Sequence, residues 1–251
     1  MHLRNQNKNA EVQPTKQMRL LACIVVWLAV LSARAQASDF KEVNFGRADS
    51  VARLYPNHSL TNLPDLADKL TQSFSNEAEK FRAVFTWVCL NITNDYELYL
   101  KNKQQREQCK TETELKAWYK KFSKTLYHEL LTNHKTICTG YAYLIRELAL
   151  ASGLDCVIVD GYGRTPGAKL NKNFPNHNWN AVKLNGKWYL CDATWASGKI
   201  DSESKQFVSR FNDQYFLTDP QIFEKNHFPL DKKWHLTLTK LTVDNFLSPK
   251  K

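Results

Sequence analysis

Asn185-Gly186 lies between two runs rich in Trp, Val, Tyr and Leu. A two-residue Asn-Gly connection is the strongest short-range hairpin signal, because a type I′ turn needs positive φ at both central residues. It also sets a register: Leu184 pairs with Lys187, and continuing that pairing puts Trp179 opposite Asp192 and His177 opposite Thr194. Opposed residues share a face, as do residues two apart on one strand. His177 and Asp192 therefore emerge on one face as diagonal neighbours, Cβ atoms roughly 7–8 Å apart or less, within reach of an imidazole–carboxylate hydrogen bond. A slip of one residue would send them to opposite faces.

Thr136-Ile137-Cys138-Thr139-Gly140-Tyr141 places a cysteine where a polar loop gives way to a helical pattern. Leu144, Leu148 and Ala151 recur at helical spacing, as do Ile145 and Ala149, and Gly153 fits the C-cap. A thiol at a helix N-terminus meets the positive end of the peptide dipoles, which favours thiolate.

Cys138, His177 and Asp192 are thus the candidate catalytic residues. A thiolate attacks a carbonyl to give an acyl-enzyme, and a histidine takes the thiol proton and returns one to the leaving amine. A carboxylate fixes the histidine tautomer and stabilises the imidazolium. The backbone N–H of Cys138 is the natural first oxyanion donor. Taken alone, each of the three is more often structural; the signal is their conjunction. His134 is the rival base, and His58, His128, His227 and His235 have no evident partner in sequence. The same three side chains could bind a metal, yet no fourth ligand stands at a recognisable spacing.

Residues 20–31 are continuously apolar, preceded by Arg4, Lys8, Lys16 and Arg19 and followed by Ser32-Ala33-Arg34-Ala35. Such a run is too short for a bilayer span of about 20 residues, and the alanines match a cleavage signal. We expect residues 1–35 to be a signal peptide, cut after Ala35 or Ala37, with Met18 an alternative start and an uncleaved anchor the competing reading. Leu20-Leu21-Ala22-Cys23 precedes the apolar run instead of following it, which speaks against lipidation. The protein is then exported, periplasmic or extracellular, with no stable membrane insertion.

The leader takes five basic residues and one acid, lowering the net charge from +10 to +6. Lysines are dispersed without a basic, aromatic-interleaved stripe, which argues against a nucleic-acid partner. Five cysteines remain, Cys89, Cys109, Cys138, Cys156 and Cys191, so at least one is a free thiol or bridges to another chain; Cys138 is the candidate. Cys89, Cys156 and Cys191 sit in apolar runs as small buried hydrophobes, and no C-x-x-C pair suggests zinc or redox chemistry.

Residues 36–75 read as a lead-in: an extended stretch to about 60, then a short helix marked by Leu63, Leu66, Ala67 and Leu70. A second helix starts at Asn76, with Glu79 three residues on. Its face runs Phe81, Val84, Phe85, Val88, Ile92, with Trp87 and Cys89 as packing residues. The polar tract 100–108 reads as a solvated excursion, followed by a helix with Leu115, Trp118, Tyr119 and Phe122. Cys156–Val159 is a buried strand ending in Gly161-Tyr162-Gly163, and residues 164–176 form a loop that could border a site.

Cys138-Thr139-Gly140-Tyr141-Ala142, Gly161-Tyr162-Gly163, His177-Asn178-Trp179-Asn180 and Asp192-Ala193-Thr194-Trp195, in this order, resemble the transglutaminase-like superfamily. The kyphoscoliosis-peptidase and cytokinesis-protein type is the nearest within it; Tyr215-Phe216-Leu217-Thr218-Asp219-Pro220, His227-Phe228-Pro229 and Trp234 also look like that type. The resemblance covers residues 76–240, leaving a tail at 241–251. It implies an α+β, papain-like fold with the nucleophile helix packed on an antiparallel sheet. It implies acyl transfer or amide hydrolysis through a thioester, without metal or organic cofactor, with Cys138, His177 and Asp192 on the triad positions. The partner is a protein or peptide substrate; cell-wall peptides are a guess from the compartment. Residues 97–131 depart from the family pattern as an insertion. A non-catalytic scaffold that binds protein partners is the competing function.

Overall fold

The computed structural model describes residues 37–165, 170–238 and 240–248. The expected signal peptide lies outside the described residues. No helix among them is long and apolar enough to cross a membrane.

Three helices come first: α1 Gly46–Arg53, α2 Leu63–Thr71 and α3 Glu77–Asn91. Helix α3 starts as expected, with the Asn76 side chain accepting from the N–H groups of Ala78 and Glu79. Helix α1 corrects the extended lead-in. Its inner face is only Ala48 and Ala52, too weak a pattern to register as periodic, and tertiary contacts hold it. Asp49 accepts from Arg82 at 2.6 and 2.9 Å and from Thr86 at 2.6 Å. Arg82, only 4% exposed, also pairs with Asp213.

The polar tract is likewise helical, forming α4, Tyr96–Gln108, capped by Asp95 and followed by α5, Glu112–Asn133. Leu, Lys, Gln, Arg and Glu all favour helix, and this bias wins where no apolar stripe exists. Leu98 and Asn102 supply the inner face; Trp118 Nε1 donates to Asn102 Oδ1 at 2.9 Å, and Phe122, Leu126 and Ile137 complete a small cluster with Leu98. The 97–131 segment is therefore a helix pair.

Helix α6, Cys138–Ala151, follows at once and ends as its sequence indicates. Gly153 takes φ +79°, and the Leu154 N–H reaches back to the Ala149 carbonyl at 2.9 Å. Then come β1 Cys156–Gly163, β2 His177–Leu184, β3 Lys187–Cys191, the short helix α7 Ala193–Ser197, and β4 His227–Pro229. The four strands form an antiparallel sheet in the order β3-β2-β1-β4.

The hairpin has the expected register, Leu184 opposite Lys187 through Asn180 opposite Cys191. It stops there. Asp192 turns to cap α7, so Trp179–Asp192 and His177–Thr194 are not ladder pairs. Val182 and Leu184 face the main core with Leu144, Leu148 and Phe85, whereas Trp179 and Ala181 pack with Val159, Leu190 and Phe223 on the other side. Asn180 Nδ2 donates to the Ala142 carbonyl at 2.9 Å, pinning α6 to β2. That bond sets the helix tip carrying Cys138 beside the end of the strand carrying His177.

Candidate active site

Cys138 opens α6, and no side chain caps that helix end, so its first N–H groups and dipole face the thiol. Gly140 permits the approach of the preceding turn: a Cβ there would stand 1.9 Å from Thr136 Oγ1. His177 enters from the start of β2, close enough to Cys138 to act on the thiol. Its Nε2 lies 2.7 Å from Asp192 Oδ2, which leaves Nδ1 for the thiol. Asp192, fully buried, uses Oδ1 to accept from the backbone N–H of Thr194 at 2.8 Å and of Trp195 at 3.2 Å. The carboxylate is thus held by the helix it caps while presenting its other oxygen to the histidine.

Burial alone would raise the Cys138 thiol, but its hydrogen bond to His177, the His177 charge and the Asn178 backbone N–H bring it below the ordinary thiol value. For His177, burial pushes down; the Asp192 charge and hydrogen bond, then the Cys138 bond, push up to about 10. Asp192 moves the opposite way: burial raises it, but His177 and then His227 hold it well below the carboxylate range. At neutral pH His177 is an imidazolium against the Asp192 carboxylate, and the Cys138 thiol is biased toward thiolate.

The walls are aromatic and close. Trp195 stacks on His177 with ring centroids 5.0 Å apart, and Trp179 lies 6.0 Å away. Gly163 backs the imidazole, and a Cβ there would come within 2.9 Å of the ring. Asn178 spans the front. The Thr139 hydroxyl donates to its Oδ1 at 2.7 Å, its Nδ2 donates to Asp160, and the Cys138 sulfur lies 4.0 Å from its Oδ1. From α4, Arg106 donates to the Pro175 carbonyl just before His177, and Tyr99 lies close enough to feel charge on Cys138. The helix pair thereby braces the rim of the site.

His134, the rival base, caps α5 with φ +52°, its ring against Trp87. Cys89, Cys156 and Cys191 are buried, and burial raises all three thiols. Cys109 and Cys138 are also free, so none of the five forms a disulfide.

Sequence reasoning missed His227. Its Nε2 stands 3.0 Å from the same Asp192 oxygen, brought there because β4 pairs Gly163 with His227. No spacing rule links residues 35 positions apart through a third strand. His177, Asp192 and His227 form the one group among the described residues with ligand atoms close enough for a metal ion. Both imidazoles already meet a single carboxylate oxygen as hydrogen bonds, so an ion there would have to break both.

A helix-tip thiol against a sheet-borne histidine and buried aspartate is the layout of papain-like thiol enzymes. The core profile of the transglutaminase-like superfamily matches residues 64–193, just over half the chain, and the chain belongs to that superfamily. Mouse kyphoscoliosis peptidase is 34% identical over 179 residues, 70% of this chain and 24% of that protein. Cytokinesis protein 3 of Saccharomyces cerevisiae is 31% identical over 100 residues, 37% of this chain and 11% of that protein. The chain therefore spans about a quarter or less of these relatives. A crystal structure of a TGase aligns over 72% of this chain and 40% of that one, at 18% identity and TM-score 0.36, too low to add to the fold assignment.

Proposed function

We propose that the protein is a cysteine-dependent acyl-transfer enzyme acting on peptide or isopeptide amides, with Cys138 as nucleophile, His177 as acid–base and Asp192 as its orienter. One observation carries this: a single imidazole lies 2.7 Å from a buried carboxylate and close enough to the helix-tip thiol to lower its pKa. The Cys138 thiolate adds to the amide carbonyl; the tetrahedral oxyanion is met by the Cys138 N–H and the α6 dipole. The C–N bond then breaks as His177 delivers its proton to the leaving amine, leaving a thioester. Water or a second amine, deprotonated by His177, attacks the thioester and restores the thiolate. The first outcome is hydrolysis, the second transamidation. Asp192 keeps its charge throughout.

An exported setting, proposed from the apolar run and cleavage signal before residue 36, makes envelope or extracellular proteins and cell-wall peptides the candidate substrates. The relatives' printed names, a peptidase among them, support amide chemistry. The test is to incubate the protein with mixed peptides and a labelled primary amine and to resolve products by mass. Cleaved or amine-exchanged peptides that vanish with Cys138→Ala are expected. Products indifferent to Cys138, or none, would favour a scaffold that binds proteins without turnover.

A further inference from the structure

Asp192 Oδ2 meets two imidazoles, and the acyl-transfer mechanism uses only one. We propose that His227 is a positioning residue that holds the Asp192 carboxylate by donating its Nε2–H to Oδ2. This deepens the proposed function and rests on it only for its catalytic consequence.

The local geometry is built for that single bond. His227 is 1% exposed, with Phe223 stacked on it at 3.9 Å, and Trp195 at 4.5 Å and Trp179 at 5.0 Å enclosing it. The rings fix its plane, and the β1–β4 pairing fixes its backbone. The titratable groups facing it are Asp192, His177 and Tyr215. Burial pushes its pKa down to about 4, against the raising effect of Asp192 and with a further lowering from His177. At neutral pH the ring therefore carries one N–H. Ionised Asp192 has no proton to give, so that N–H sits on Nε2. Nδ1 becomes an acceptor; the Asn226 side-chain oxygen stands 2.6 Å from it and cannot donate, so a neutral ring requires that carboxamide to turn its N–H toward Nδ1. Asp192 then has a complete set of donors: Thr194 and Trp195 on Oδ1, His177 and His227 on Oδ2. Its rotamer is fixed from both sides, and so is the imidazole it orients.

The experiment follows the histidine rings by ¹⁵N NMR in the full chain across pH 5–11. Wild type should give His227 as the Nε2–H tautomer from pH 6 to 9. In His227→Phe, which keeps the stacking and removes the donor, the His177 pKa should fall by about one unit, a tenfold weaker hold on the imidazolium. His227→Gln, whose amide N–H can reach Asp192, should restore most of that shift. A protonated Nδ1 on neutral His227, an unchanged or raised His177 pKa in His227→Phe, or equal effects of Phe and Gln would overturn the assignment. If His227→Phe does not fold, Asn226→Leu frees the ring without disturbing the stack, and should lower the His177 pKa in the same direction; no change overturns the proposal. These readouts do not require turnover. A wild-type Cys138 that reacts as an ordinary thiol would refute the enzyme while leaving the His227 result standing.

Discussion

Replacing Asp192 with Asn is the sharpest perturbation of the site, because shape is kept and only charge and one acceptor change. The Asn Oδ1 can keep accepting from Thr194 and Trp195, so α7 stays capped. Its NH2 then points at His177 and His227, where two donors now need an acceptor. Removing one partner of a buried ion pair costs roughly 3–5 kcal/mol. At about 1.4 kcal/mol per pKa unit, that lowers His177 by roughly two to four units. Starting from about 10, His177 would fall toward or below its ordinary 6.5. The imidazolium is then lost at neutral pH, and the Cys138 thiolate loses its counter-ion. A thiol returned to a pKa of about 8.5 is under 1% ionised at pH 6, so iodoacetamide should alkylate Cys138 more slowly than in wild type, whose thiol is held lower. The assay is the pH profile of Cys138 alkylation, followed by peptide mass, with circular dichroism verifying the fold. An Asp192→Asn profile that overlays wild type would refute the electrostatic role assigned to the carboxylate.

Gly163→Ala should slow Cys138 alkylation at pH 6 with the fold retained, because the new Cβ displaces the His177 ring; a crystal structure would locate the shift. The destabilisation caused by His177→Gln should be greatest below pH 6.5. It should shrink as pH rises toward about 10, since a raised histidine pKa gives stability that is lost on deprotonation of the folded state. Thermal melts across that range check the sign. Arg82→Met should cost about 3 kcal/mol in denaturant unfolding, because Asp49 loses its partner; the 67% exposure of the Asp213 side chain keeps the cost at the lower end.

Much of the site was legible in the chain because its signals are local. Asn185-Gly186 fixes a hairpin register as far as Asn180 opposite Cys191, which delivers Asp192 to the strand end near His177. The apolar stripe after Cys138 and the glycine at 153 fix a helix and both its ends. Two helices escaped notice for opposite reasons. Helix α1 buries only small alanines and an ion pair, and α4 has strong propensity without a stripe. His227 was hidden by topology, since only the pairing of β4 with β1 brings it to Asp192. The exact end of the ladder was also nonlocal, because Asp192 leaves the strand to cap α7.

Mass-resolved labelling of the five free thiols with a limiting electrophile at pH 6 tests the central claim most directly. Cys138 should take nearly all the label, and His177→Ala should abolish that preference. Labelling that follows exposure alone, with Cys109 ahead and Cys138 indifferent to His177, would contradict the assignment of Cys138 as an activated nucleophile.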